Sequence, residues 1–163
     1  MAHSFGKASL VKLGTLHKDL QTVLNVAIQQ CEVDFTITEG YRPPEKQFEY
    51  YKKGRKLGTD GKWIVVNPKG IITNVDGYKV KGNHNYNPSL AVDIAVFVPN
   101  KPGLTYDLAH LSYIAGSIMR IADSLYEKGD ITHKIRWGGD WNFNGDFSDS
   151  RLPDKPHFEL ITK

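Results

Sequence analysis

Two stretches of this chain carry side chains that could do chemistry together. In the first, Gly82 to Phe97, an asparagine-rich turn bearing His84 runs into an apolar segment with Asp93 at its centre, flanked by Val92 and Ile94. A carboxylate in such surroundings loses most of its hydration on folding, and an unpaired buried charge is strongly unfavourable, so Asp93 requires a cation. A metal shared with His84 is one source; a core Arg, Lys or protonated His is the other. The second stretch is Asp154-Lys155-Pro156-His157-Phe158-Glu159-Leu160. On a strand, His157 and Glu159 share one face and Phe158 and Leu160 the other. If the apolar pair faces the core, His157 and Glu159 face a cleft.

His84, Asp93 and His157 are therefore the candidate ligands, with Asp154 and Glu159 as neighbouring carboxylates. Two histidines and one carboxylate, with a fourth position left for water, form the ligand set of a catalytic zinc. A carboxylate beside such a site that is not itself a ligand can accept a proton from water and pass it to a leaving amine. Asp154 suits that role. Arg42, in Gly40-Tyr41-Arg42-Pro43-Pro44, suits the stabilisation of a developing oxyanion, a surface arginine being the alternative.

A second metal signal is Asp140-Trp141-Asn142-Phe143-Asn144-Gly145-Asp146, the opening of a calcium loop of the form Asp-x-Asn-x-Asn-Gly. The bidentate Glu of position twelve is replaced by Arg151, with Asp146 or Asp149 to compensate. An asparagine-rich turn held by its own hydrogen bonds is the alternative. An occupied loop would order the approach to Asp154 and make calcium a regulator.

The elements that must position these residues can be read from periodicity. Leu13, Leu16, Leu20, Val23, Leu24 and Ala27 predict one amphipathic helix over about Ser9–Gln30, with Gly14 a break near its start. Val33, Phe35 and Ile37 alternate as a strand, and the two prolines after Arg42 open a second helix to about Lys53. A glycine-rich excursion over about 55–82 holds β-rich runs at Trp63–Val66 and Ile71–Val75, with Asp76-Gly77 predicting a hairpin to Tyr78–Val80. Leu90–Val98 is apolar on both faces and belongs at the centre of a sheet. Leu108 to Leu125 at helical spacing predict a helix over Asp107–Lys128, stopped by Gly129, followed by strands at Ile135–Trp137 and His157–Ile161. His17, His110 and His133 read as surface or half-buried side chains, and Cys31 as a small buried residue. The pattern is α+β: a small, mainly antiparallel sheet packed with about three helices.

Composition sets the outer bounds. A chain of 163 residues, 40% hydrophobic and 24% charged, is predicted to form one globular domain spanning 1–163. The net charge of +3 favours an anionic partner, but no basic run accompanies it and nucleic acid is not expected. The single cysteine, Cys31, excludes an intrachain disulfide and a thiolate metal cluster. Met1–Lys7 offers no apolar run of signal-peptide length, and no stretch is suited to spanning a membrane. The expectation is a monomer made in the cytosol, without a membrane partner, that another factor releases if it acts outside.

The joint pattern resembles the D-Ala-D-Ala-type zinc peptidases of bacterial cell-wall metabolism, and particularly the phage endolysins that cut the L-alanyl–D-glutamate bond. The residues that carry the resemblance are His84…Ala91-Val92-Asp93, Asp154-Lys155-Pro156-His157-Phe158-Glu159, and Gly40-Tyr41-Arg42 with Gln47. The resemblance implies zinc on His84, Asp93 and His157, Asp154 as general base and acid, and Arg42 stabilising the transition state. It makes Glu159 and Gln47 supporting residues. It further implies a zinc cleft on the sheet, peptidoglycan as substrate, and release to the wall through a holin. The chain departs from the pattern in having Asp93 nine residues after His84 rather than seven, and Asn83 where a Ser is familiar. Two other readings remain open: a D-Ala-D-Ala carboxypeptidase or dipeptidase, and a zinc-holding binding module of the hedgehog type.

Overall fold

The computed structural model describes residues 2–149 and 154–162. Its α-helices are α1 (Lys7–Leu13), α2 (Lys18–Gln30), α3 (Pro44–Lys52) and α4 (Leu108–Lys128). Its strands are β1 (Phe35–Glu39), β2 (Arg55–Leu57), β3 (Trp63–Val65), β4 (Ala91–Phe97), β5 (Leu104–Thr105), β6 (Ile135–Trp137) and β7 (His157–Leu160). One antiparallel sheet runs β1-β4-β7-β6, with β5 on the far end of β4; β2 and β3 form a separate ribbon. The α+β architecture agrees with the sequence, and β4 is central as its two apolar faces require.

The sheet divides its two faces sharply. Val92, Ile94 and Val96 of β4, Phe158 and Leu160 of β7, and Phe35 and Ile37 of β1 join the core with the apolar stripes of α2 and α4. Asp93, His157 and Glu159 therefore point to the opposite face, as pleat alternation demands.

Several local expectations are corrected. The single helix predicted over Ser9–Gln30 is two, because residues 15–17 leave the helix to pair with Ser89: Ser89 N–H donates to Thr15 O and His17 N–H to Ser89 O, both at 2.8 Å. His17 then caps α2, its Nδ1 accepting from the amide of Asp19 at 3.2 Å. In the excursion, β3 forms as predicted but pairs with β2, a segment for which the sequence predicts no strand. Neither Ile71–Val75 nor Tyr78–Val80 is a strand. The Asp76-Gly77 hairpin is replaced by a tight loop in which Asp76 Oδ1 accepts from the amides of Tyr78, Lys79 and Val80. A carboxylate that can take several local amides competes with strand pairing.

Candidate metal centre and active-site cleft

Three elements deliver the candidate ligands. Asp93 and His157 stand directly opposite one another on β4 and β7. His84 comes from a single 3-10 turn, Asn83–Asn85, which is locked to the strand-to-helix junction: Arg42 N–H donates to His84 O at 2.8 Å and Asn85 Nδ2 to Arg42 O at 2.9 Å. His84 Nε2 lies 3.2 Å from Asp93 Oδ1 and 3.2 Å from His157 Nδ1, and His157 Nδ1 lies 2.9 Å from Asp93 Oδ1. These three side chains could together hold a metal ion.

The far side of each imidazole is also engaged. His84 Nδ1 donates to Gly40 O at 2.8 Å, and His157 Nε2 donates to Glu159 Oε2 at 3.1 Å. Each neutral ring then turns an unprotonated nitrogen towards the other and towards Asp93. Three electron pairs aimed at one point repel unless a cation sits among them. Without a metal the cation is a proton: burial opposes charge on His157, but hydrogen bonds to Asp93 and Glu159 outweigh it and push its pKa up to about 9. Burial likewise opposes ionisation of Asp93, and the two histidines reverse this and hold its carboxyl far below the ordinary range.

Glu159 is itself secured from three directions. Asn83 Nδ2 donates to its Oε2 at 2.7 Å, Arg136 Nε donates to its Oε1 at 3.0 Å, and Arg136 Nη2 reaches the same oxygen. Burial would raise its pKa, but His157 and Arg136 bring it down to about 2.

Arg42 lines the same cleft, its guanidinium 5.0 Å from the Tyr50 ring centre. Its Nη2 donates to Glu39 Oε2 at 2.8 Å and lies 3.4 Å from Asp93 Oδ2, while Nη1 donates to Gln47 Oε1 at 3.0 Å. Gln47, buried, passes the connection on by donating to Val75 O at 2.8 Å, so the excursion forms one wall of the cleft. Asp154 and Trp141 also line this cleft, which encloses about 350 Å³. Although Asp154 is exposed, its carboxyl sits within the cleft, where desolvation pushes its pKa up; His157 opposes this and Asp93 adds to it. A carboxyl raised by desolvation beside a converging His/Asp/His group is suited to exchanging a proton.

The family model for phage L-alanyl-D-glutamate peptidase matches residues 1–161. The chain belongs to that family. Within it, the chain is similar to the L-alanyl-D-glutamate peptidase of Escherichia phage T5, with 24% identity over 99% of this chain and 100% of the relative. It is also similar to the peptidoglycan L-alanyl-D-glutamate endopeptidase CwlK of Bacillus subtilis strain 168, with 29% identity over 85% of this chain and 67% of the relative. The fold matches the crystal structure of the Serratia marcescens L-Ala D-Glu endopeptidase ChiX, with a TM-score of 0.63 and 22% identity, covering 98% of this chain and 91% of that one.

For this member of the phage L-alanyl-D-glutamate peptidase family, the structure brings every sequence-derived cleft residue into one place: His84, Asp93, His157, Asp154, Glu159, Arg42 and Gln47. It adds Glu39, Arg136 and the Gly40 carbonyl. Arg136 had a legible signal, a cation between Ile135 and Trp137 on a short strand. Asn83, noted as a departure, becomes the donor to Glu159.

The Asp140 loop is a separate cluster closed by its own hydrogen bonds. Asp140 accepts from the amides of Asn144 and Gly145, each at 3.1 Å, and Asp146 Oδ1 from Ser148 N at 2.9 Å. Asp149 Oδ2 accepts from the side-chain amides of Asn142 and Asn144 at 2.9 and 2.7 Å. Arg151, at position twelve, lies outside the described residues.

His17 and His133 also flank a carboxylate, that of Asp19. There, Asp19 Oδ2 already accepts from Thr132 N, Thr132 Oγ1, His133 N and His133 Nδ1, all within 3.0 Å. This cluster anchors the 132–133 turn to the start of α2.

Proposed function

We propose that this chain is a zinc-dependent endopeptidase that hydrolyses the L-alanyl–D-glutamate bond of peptidoglycan stem peptides and serves as a phage lysis enzyme. The observation that carries the metal is the convergence of His84 Nε2, His157 Nδ1 and Asp93 Oδ1 at 2.9–3.2 Å. Ligands on a tetrahedral zinc with bonds of about 2.0–2.1 Å stand roughly 3.3–3.4 Å apart, so these donors need only a slight outward relaxation. Their chemistry, two imidazoles and a carboxylate with no thiolate, is that of catalytic zinc.

Zinc held there would supply Lewis acidity, polarising the scissile carbonyl and lowering the pKa of water in the site. The chain's own residues do the rest. Asp154, ionised but with a raised pKa, accepts a proton from the attacking water on a carboxylate oxygen and delivers it to the nitrogen of the departing D-glutamyl residue. Arg42 places positive charge beside the developing oxyanion. Glu159 keeps the proton on His157 Nε2, leaving Nδ1 free to bind. Glu39 and Gln47 fix the guanidinium of Arg42.

Calcium in the Asp140 loop is proposed as a regulator: Asp140, Asn142, Asn144 and Asp146 would turn their oxygens onto the ion and tighten the path to Asp154. Action on the wall would follow release from the cytoplasm through a holin.

The deciding experiment is mass spectrometry of fragments released from purified peptidoglycan, with and without a zinc chelator. Chelator-sensitive products ending in a free L-alanine carboxyl and a free D-glutamate amine are expected. Released D-alanine would replace the proposed bond by that of a carboxypeptidase or dipeptidase. No cleavage by folded, zinc-loaded protein, with calcium present, would overturn the enzyme and favour a binding module.

A further inference from the structure

The charge of this chain is unevenly placed. Residues 52–82 hold eight Lys and Arg against two Asp, a net +6, while the thirteen basic and sixteen acidic residues elsewhere give −3. The same segment carries the β2–β3 ribbon, which pairs with no other strand among the described residues.

The ribbon has two different faces. Arg55 opposes Val65 and Leu57 opposes Trp63, and this face is the one anchored to α3. Arg55 lies 4.1 Å from the Tyr51 ring centre and donates to Tyr51 O at 2.6 Å and Thr73 O at 2.9 Å, while Trp63 meets Phe48 edge-on at 5.7 Å. On the other face Lys56 lies opposite Ile64, and Val66 extends the row. On this second face Ile64 and Val66 are 51% and 57% exposed, Leu57 and Val65 of the anchored face stay about half exposed at 52% and 53%, and Lys56, Lys62 and Lys69 of the same segment are exposed too.

We propose that this ribbon docks on an anionic lipid surface, with Ile64 and Val66 entering the headgroup–acyl boundary and Lys56, Lys62 and Lys69 meeting the lipid phosphates. Large aliphatic side chains held in water gain free energy when covered, and a contiguous patch of them marks an interaction surface. A net +6 opposes covering the ribbon with a second copy of itself and favours an anionic partner. Peptidoglycan stem peptides would satisfy the lysines but offer no apolar phase for isoleucine and valine; a bilayer interface satisfies both. The contact is with a surface only, since no helix among the described residues is long and apolar enough to cross a membrane. It revises the expectation, drawn from sequence, that no membrane is involved.

The test is co-sedimentation of the full chain with vesicles of phosphatidylglycerol and phosphatidylethanolamine, and separately with phosphatidylcholine vesicles. The parent should partition at least ten-fold more strongly onto the anionic vesicles and lose that preference in high salt. The combined Lys56→Gln, Lys62→Gln and Lys69→Gln variant should lose on the order of 100-fold in partitioning. Ile64→Ser with Val66→Ser should lose at least ten-fold. Both variants should keep the parent's melting temperature and its hydrolysis of soluble stem-peptide fragments, because none of these residues lines the cleft. Equal partitioning onto both vesicle types, or none onto either, overturns the proposal. So does a variant that loses binding to lipid-free peptidoglycan instead, or a parent that forms a dimer which the serine variant abolishes.

Discussion

Asp154 and Glu159 are both carboxylates close to His157, yet their surroundings shift their pKa values in opposite directions. Glu159 is surrounded by donors, Asn83, Arg136 and the His157 ring, and stays ionised down to a pKa of about 2. Asp154 lines the cleft, where desolvation raises its pKa, and it can exchange a proton. Asp154→Ala should therefore retain bound metal at parental stoichiometry by elemental analysis, while kcat falls by roughly 10²–10⁴-fold. Unchanged wall digestion by that variant would refute the assigned mechanism. Glu159→Gln should do the reverse: the side chain keeps its shape, but His157 loses its charged partner. Metal affinity, read by competition with a chromogenic chelator, should drop about 10–100-fold.

Among the elements, β4 and β7 matter most, because their register puts Asp93 across from His157. A bulge in β1 between Ile37 and Glu39 turns Glu39 out of the core row of Phe35 and Ile37, opposite Asp93. Nothing in Phe35-Thr36-Ile37-Thr38-Glu39 announces that bulge, so Glu39 was not legible from sequence, whereas the face of His157 and Glu159 was. The turn after β6 is equally tight. A Cβ at Gly138 would lie 2.2 Å from the Asp154 carbonyl oxygen, and Gly138 also exchanges backbone hydrogen bonds with Asp154 and His157. Gly138→Ala should destabilise the fold by about 1–3 kcal/mol in urea titration. By displacing Asp154 it should also lower kcat at least ten-fold with metal still bound.

The anchor at Asp19 makes a pH prediction. Burial would raise its pKa, but hydrogen bonds from His133 and Thr132 outweigh this and hold it below the ordinary 3.8. A depressed carboxyl stabilises the fold above its ordinary value and loses that contribution as pH falls through the folded one. Asp19→Asn should thus be less stable than the parent near neutral pH, and the gap in urea midpoint should close on acidification. A gap independent of pH would remove Asp19 as a charged anchor.

At the scale of the whole molecule, core and site are separate. The apolar core lies between the sheet and α2 and α4, while the candidate ligands Asp93 and His157 occupy the opposite face. Removing the proposed zinc should abolish hydrolysis yet leave far-ultraviolet circular dichroism intact, with a lower melting temperature that added zinc restores. Unfolding on chelation would make the metal structural instead.

The sequence by itself determined the secondary-structure class, the central place of β4, the two faces of the last strand, and a set of candidate ligands that contains no thiolate. Each of these depends on local periodicity or residue type, which the order of residues contains. Only the tertiary structure decided that α1 and α2 are separate, that β3 pairs with β2 while Ile71–Val75 and Tyr78–Val80 form no hairpin, and that Glu39, Arg136 and the Gly40 carbonyl belong to the site. Those outcomes depend on pairing between segments far apart in the chain, where a bulge or a competing hydrogen bond can reverse which way a side chain points without leaving a local trace.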